Sequence, residues 1–278
     1  MAARHANLER YLAADPWLTA AAEAAERLAQ IAAERRLELL EHLINAGLRE
    51  ALIVRTGRVY HGPLDDDLLN GLLFFAGEDV SQPLLQALLR AHMAGDSGWR
   101  ERLPENAAFL ARLQQRGIDP AAWLAARPRM VHLADAPGER ISLRMATTGL
   151  QVLQMGNYFD TCLAREGVNA FSALSNAIDL NKRVLYAYRA DGQVLGRKLI
   201  ALSNEGRLLG YHCYTRGLND SASAALAEAM RRYLLEFAAA CGLETADHGD
   251  VENLVAEHWY NDGAQPWTTE AAVGAGSR

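Results

Sequence analysis

The sequence predicts an α+β protein, with a helical N-terminal domain over about residues 1–130 and an antiparallel-sheet domain with flanking helices over about residues 141–267. Three observations carry this. Three runs rich in β-branched and aromatic residues, Val184–Arg189, Gln193–Leu202 and Arg207–Tyr214, follow one another, with the hairpin residues Asp191-Gly192 and Asn204-Glu205-Gly206 between them. Behind a polar loop, Ser221–Cys241 places Leu226, Met230, Tyr233, Leu234 and Phe237 at helical spacing. The first half of the chain alternates apolar helical stretches with short polar breaks, the pattern of a helical array.

The elements read as follows in chain order. Leu8, Leu12, Trp17 and Leu18 begin an apolar pattern, with Asp15-Pro16 as a helix start. Ala20–Ala46 is nearly free of breakers, and Gly47 is the expected stop. Ala51–Arg55 and Arg58–Tyr60, split by Thr56-Gly57, read as a small β-hairpin. Helices return at Leu64–Phe75, Gln82–Met93, Pro104–Leu113 and Asp119–Leu124, with breaks at Gly77–Asp79 and Gly95–Gly98. Pro128–Arg140 is the candidate linker. Ile141–Ala146 follows as a strand, then helices over Leu150–Leu163 and Asn169–Ile178. After the three-strand meander and the long helix comes a second short helix, ending in Tyr260-Asn261-Asp262-Gly263. Residues 268–278 read as a disordered tail.

Bulk composition narrows the function classes. Half of the 278 residues are hydrophobic, enough for a sizeable core, and the formal charge of −6 shows no basic surplus of the kind a general nucleic-acid binder carries. The three cysteines, Cys162, Cys213 and Cys241, are widely spaced and form no CxxC pair, which supports neither a zinc ribbon nor a disulfide framework. No run approaches the ~18 apolar residues of a membrane span. The N-terminus lacks the apolar core of a signal peptide. A cytoplasmic protein that uses no membrane is expected, and the Ala/Arg/Leu/Glu richness suggests a bacterial genome of high GC content.

Three groupings bear on chemistry. Cys162 precedes His212 in the chain, and a cysteine activated by a spatially adjacent histidine is a device of hydrolases and acyl-transfer enzymes; Asn181 or Asp160 is available to orient the histidine. The alternatives are a buried structural thiol and a half-buried structural histidine. Asp247-His248-Gly249-Asp250, with Glu252 and His258, has the ligand types of a metal site but no recognised spacing, so no metal is expected. Asn181-Lys182-Arg183 with Arg189, Arg197 and Lys198 is the densest basic group. Arg189 and Arg197 are expected to face each other across the Asp191-Gly192 turn, either as a solvated rim or as a small patch for phosphate, a nucleic-acid backbone or an acidic peptide.

Read from Ile141, the order strand, helix, helix, three antiparallel strands, long helix, helix resembles the GNAT superfamily of N-acetyltransferases. Asp191–Gly196 is similar to the family's hairpin, Arg216-Gly217 sits where the family places its pyrophosphate loop, and Asn253…Ala256…Tyr260…Gly263 resembles its late signature. The loop Arg216–Ser223 carries alanine and serine where the family has glycines, and Glu244–Asp250 is very polar for a core strand. A fainter likeness is to plasmid-associated proteins of the PcfJ type, which also place a cysteine ahead of a β-meander.

The GNAT resemblance implies acetyl-CoA or another acyl donor held by Arg216, Gly217, Asn219, Ser221 and Ser223. It implies Tyr260 as the general acid and His212 as a base. The expected reaction moves an acyl or aminoacyl group from a thioester or ester donor to an amine of a peptide or small molecule, with the helical domain available to a protein partner. The alternatives are a cysteine-dependent hydrolase or acyl-transfer enzyme using Cys162 and His212, and a non-enzymatic interaction module with a degenerate domain.

Overall fold

A five-stranded antiparallel sheet, in the order β1-β2-β3-β4-β5, organises the second half of the chain. The computed structural model describes residues 33–75, 81–133 and 140–267. Mixed helix and sheet is thus the fold class, with eight α-helices among the described residues. The pattern over Leu8–Leu18, the break at Gly77–Asp79 and the tail at 268–278 lie outside those residues. The chain divides into two compact units, Met1–Ser97 and Gly98–Arg278.

Among the described residues, the first unit contains three helices, α1 (Ala33–Thr56), α2 (Asp66–Phe75) and α3 (Gln82–Met93). The helix does not stop at Gly47, and the expected hairpin over residues 51–60 is absent. An interior glycine costs only about 1 kcal/mol. Beyond it, Leu48, Ala51 and Leu52 continue one buried face, so burial outweighs propensity. The C-terminal carbonyls of α1 are occupied from α3: Gln86 Nε2 donates to Arg55 O, and Arg90 Nε donates to Thr56 O at 2.6 Å. Arg49 donates to the carbonyls of Tyr60 and Gly62, each at 2.8 Å, which pins Arg58–Gly62 as a non-repetitive return instead of a strand. Asp65 caps α2 through Leu68 N at 2.8 Å.

The second unit begins ahead of the proline-rich segment that composition marks as a linker. Its helices α4 (Pro104–Gln115) and α5 (Pro120–Leu124) are joined to the sheet by buried polar bonds. Asn106 Nδ2 donates to Ile178 O at 2.9 Å, Asn106 Oδ1 accepts from Leu180 N, and Trp123 Nε1 donates to Leu180 O at 2.7 Å. The first part of the expected linker is instead edge strand β1 (Arg129–His132), paired with β2 (Arg140–Met145). The meander follows the expected order as β3 (Lys182–Arg189), β4 (Val194–Leu202) and β5 (Leu208–Thr215), and the long helix is α8 (Asp220–Cys241).

One sheet face packs on α8. Leu143, Leu185 and Ile200 meet Leu226, Met230, Leu234 and Phe237 in a single apolar cluster, closed by Trp123 5.7 Å from the Phe237 ring. No helix among the described residues is long and apolar enough to cross a membrane.

Two expected helices differ. The helix over Leu150–Leu163 is cut to α6 (Gly149–Leu153), and tight turns run on to α7 (Ala170–Ile178). At Gly156 and Gly167 the chain approaches itself so closely that a Cβ would lie 2.0 Å from the backbone of Leu163 and Ala164, or 2.2 Å from Cys162 O. The final segment, 253–263, is irregular because its backbone groups are engaged elsewhere. The Asp179 carboxylate accepts from the amides of Leu254, Val255 and Ala256. Ser172 Oγ accepts from Tyr260 N and donates to Tyr260 O, and Ser175 Oγ donates to His258 O.

Candidate functional site

Alternation along β-strands sends successive side chains to opposite faces. The face away from α8 therefore carries a row across four strands: Arg144 opposite Tyr186, Tyr186 opposite Arg197, and Arg197 opposite Tyr214. Arg189 and Arg197 do not face each other, because the hairpin register sets Arg197 opposite Tyr186; Arg189 Nη1 donates to Gln193 Oε1 at 2.6 Å instead.

Nor is the basic group a solvated rim or an open patch. Lys182, Arg183, Arg197 and Lys198 are all buried. Arg183 is held by the carbonyls of Trp123, Ala125 and Ala146. Lys198 Nζ donates to Tyr211 O at 2.6 Å and to Gln265 Oε1, and burial lowers it to about 8.

Tyr214 is the residue around which the sequence-predicted groups gather. Its ring lies 4.6 Å from that of His212 and 6.2 Å from that of Phe159, and the Arg197 guanidinium sits 4.4 Å from its centroid. Burial raises the Tyr214 phenol, with Asp262 the next cause and the negative forms of Cys162 and Tyr260 adding to it. His212 and the loop residue Phe159, far apart in sequence, thus share Tyr214 as a neighbour.

Cys162, His212 and Tyr260 are each placed by a different device. Cys162 sits in the loop that Gly156 and Gly167 tighten, with its carbonyl accepting from Asn169 N at 2.9 Å. His212 is placed by β5, and its backbone donates to Gly263 O. Tyr260, 43% exposed, is fixed at its backbone by Ser172 while its ring stays open to solvent.

Electrostatics favour a neutral imidazole. Burial, then Lys198 and Arg197, hold His212 below the ordinary histidine value. Beneath it, Arg197 Nη2 pairs with Asp262 Oδ2 at 2.7 Å, both side chains 0% exposed. Burial pushes the Asp262 carboxyl up, against the pull of Arg197 and of the Tyr214 hydroxyl.

The five residues proposed for a pyrophosphate do not form an open cradle. Asn219 Oδ1 accepts from Ala222 N at 2.8 Å, and Ser223 N bonds Asn219 O, so the start of α8 is capped by its own chain. Asp220 adds a negative charge in the first turn. Arg216 Nη1 donates to Tyr158 O at 2.9 Å, with Asp160 at 3.8 Å. Gly217 is open on its Cα side, and Ser221 is exposed. Along the outer edge of β5, the chain after α8 makes one parallel bridge, Leu208 with Thr245, and leaves; Gly263–Gln265 then returns antiparallel on Tyr211. The residues present therefore do not fit a CoA pyrophosphate at this loop.

The acidic group near residues 247–258 is dispersed. Asp247 Oδ1 caps Trp267 N at 2.8 Å and Glu252 pairs with Arg112; no metal-binding cluster of three such residues occurs among the described residues.

Tyr214 and Asp262 are site residues that sequence reasoning does not single out, and Arg197 enters there only as a member of the basic group. The signal was present in Val194–Leu202, where Arg197-Lys198 interrupts an otherwise apolar central strand. No family model, curated protein or solved structure matches this chain.

Proposed function

We propose that the second unit carries out acyl transfer through Cys162, moving an acyl group from a thioester or ester donor to an amine of a peptide or small molecule, or to water. What supports this reading is that His212 and Phe159, the latter three residues before Cys162, pack against the same Tyr214 ring. His212, neutral near pH 7, takes the thiol proton. Tyr260, open to solvent, protonates the departing thiolate or alkoxide. A reducing cytoplasm keeps the three cysteines free, as they stand in the structure.

A GNAT-like topology for this unit remains part of the proposal, supported by the order β2, α6, α7, β3–β5, α8 and by the parallel bridge at Thr245. The donor is then recognised by its acyl end, because the loop before α8 is occupied by its own cap. An interaction module without chemistry is the alternative that this closed loop favours. The deciding experiment is peptide mapping after incubation with an aryl ester. An acyl label on Cys162 that is absent from Cys162→Ala supports transfer, and an unlabelled Cys162 supports the module.

A further inference from the structure

We propose that Arg197 supplies the oxyanion donor of this site, with Nη1 receiving the carbonyl oxygen of the acyl group delivered to Cys162. The inference rests on the acyl-transfer reading above. A guanidinium has five N–H donors. In Arg197, Nη2 is bound to Asp262, whereas Nε and Nη1 have no partner although the side chain is 0% exposed. A buried donor without a partner is destabilising, and such donors are rare in folded proteins.

Asp262 Oδ1 also lacks a partner. A small rotation to the side-on arrangement, with Nε and Nη2 on the two carboxylate oxygens, satisfies Nε and Oδ1 together. It leaves Nη1 unsatisfied, so the two donors of Nη1 are the feature that ion pairing does not explain.

The surroundings tie this nitrogen to Cys162. The guanidinium lies 4.4 Å from the Tyr214 ring centroid and 5.9 Å from that of Phe159. Phe159, which packs 6.2 Å from the Tyr214 ring, is three residues before Cys162 in the same loop. The two rings hold the guanidinium on the sheet face against which the loop carrying Phe159 packs. Asp262 makes the ion pair formally neutral. A permanent anion therefore gains little here, and the fitting ligand is a neutral carbonyl that becomes negative only in the transition state.

The step balances without a further reactant. His212 takes the Cys162 proton, and Sγ forms a bond to the carbonyl carbon. The carbonyl π pair moves onto oxygen, where Nη1–H donates to it. The pair returns as the C=O bond re-forms, the bond to the donor's sulfur or oxygen breaks, and Tyr260 protonates the leaving group. The product is an acyl thioester on Cys162.

Two rates separate this role from a structural one. Alkylation of Cys162 by iodoacetamide is a displacement with no oxyanion, whereas acylation by p-nitrophenyl acetate passes through one. In Arg197→Met and Arg197→Lys, acylation is expected to fall by about 10²–10³-fold, while alkylation stays within about threefold of the wild type. Equal losses in both rates, or unchanged acylation, overturn the proposal.

If both variants fail to fold, the wild-type protein carries the test. With a ¹³C-labelled acetyl group on Cys162, the carbonyl stretch should lie lower in the folded acyl-protein than in the same acyl-protein unfolded, and equal frequencies overturn the proposal. Alkylation without acylation in the wild type contradicts acyl transfer itself, and Arg197's role falls with it.

Discussion

Among the described residues, the second unit contains two ion pairs with both side chains at 0% exposure, and they differ in how completely their polar atoms are satisfied. In the first pair, Lys182 Nζ donates to Asp179 at 2.6 Å, to Asn181 Oδ1 and to Glu252 O. Asp179 also accepts from three consecutive backbone amides. Every strong donor and acceptor of this pair is engaged. In the second pair, Arg197 makes one hydrogen bond to Asp262 and leaves Nε and Nη1 without partners. The same unit thus contains a saturated pair that fixes the coil after residue 250 and an unsaturated one beneath Tyr214. The saturated pair reads as scaffold, and the donors left over in the other pair are the ones the oxyanion proposal uses.

The largest effect that would break this contrast is at Asp179. Asp179→Ala leaves Lys182 buried without a counter-charge and frees three amides, so unfolding free energy should drop by about 3–5 kcal/mol in urea titration. Replacing the whole Arg197–Asp262 pair by Met and Leu should be far milder, between about neutral and a gain of a few kcal/mol, because that pair is incompletely compensated. Equal losses in the two experiments would remove the distinction between the pairs.

A third buried cation sharpens it. Lys198 is held by a carbonyl and an amide oxygen, and burial lowers it from 10.5 to about 8. Between those two values the unfolded chain holds a proton that the folded chain has lost, so this group makes stability rise with pH. The stability difference between wild type and Lys198→Met should therefore move in favour of the wild type by about 3 kcal/mol from pH 8 to pH 10.5. The contributions of the buried tyrosines drop out of that difference, and making the comparison in a Cys213→Ala background removes the thiol that Lys198 itself perturbs. A difference independent of pH would mean that Lys198 keeps its charge through this range.

The smallest effects fall at the loop before α8. Asn219→Ala removes a helix cap and should cost about 1 kcal/mol. Millimolar CoA should leave the melting temperature of the wild type unchanged, whereas a rise of several degrees would show that the self-capped loop opens to a pyrophosphate.

The sequence made the sheet legible because its signals are local. Asp191-Gly192 and Asn204–Gly206 mark the turns, and the strand runs between them need no distant partner to be recognised. Pro104 and Pro120 mark helix starts for the same reason. What remained hidden depends on long-range hydrogen bonds. The segment 253–263 has helical spacing, but Asp179, Ser172 and Ser175, more than 70 positions earlier, bind its backbone and prevent a helix. Lys182 and Arg197 look solvated in a one-dimensional reading, because their charge partners lie on different elements. Cys162 and His212 were visible as residue types, whereas Tyr214, which packs against His212 and Phe159, resembles any other strand tyrosine until the fold is known.

The most direct test of this account is the site of acylation in the native protein. After brief exposure to p-nitrophenyl acetate at pH 7, peptide mapping should find the acetyl group on Cys162 and not on Cys213 or Cys241, with the label lost when the protein is unfolded before exposure. An acetyl group spread over surface lysines, with Cys162 unmodified, would contradict it.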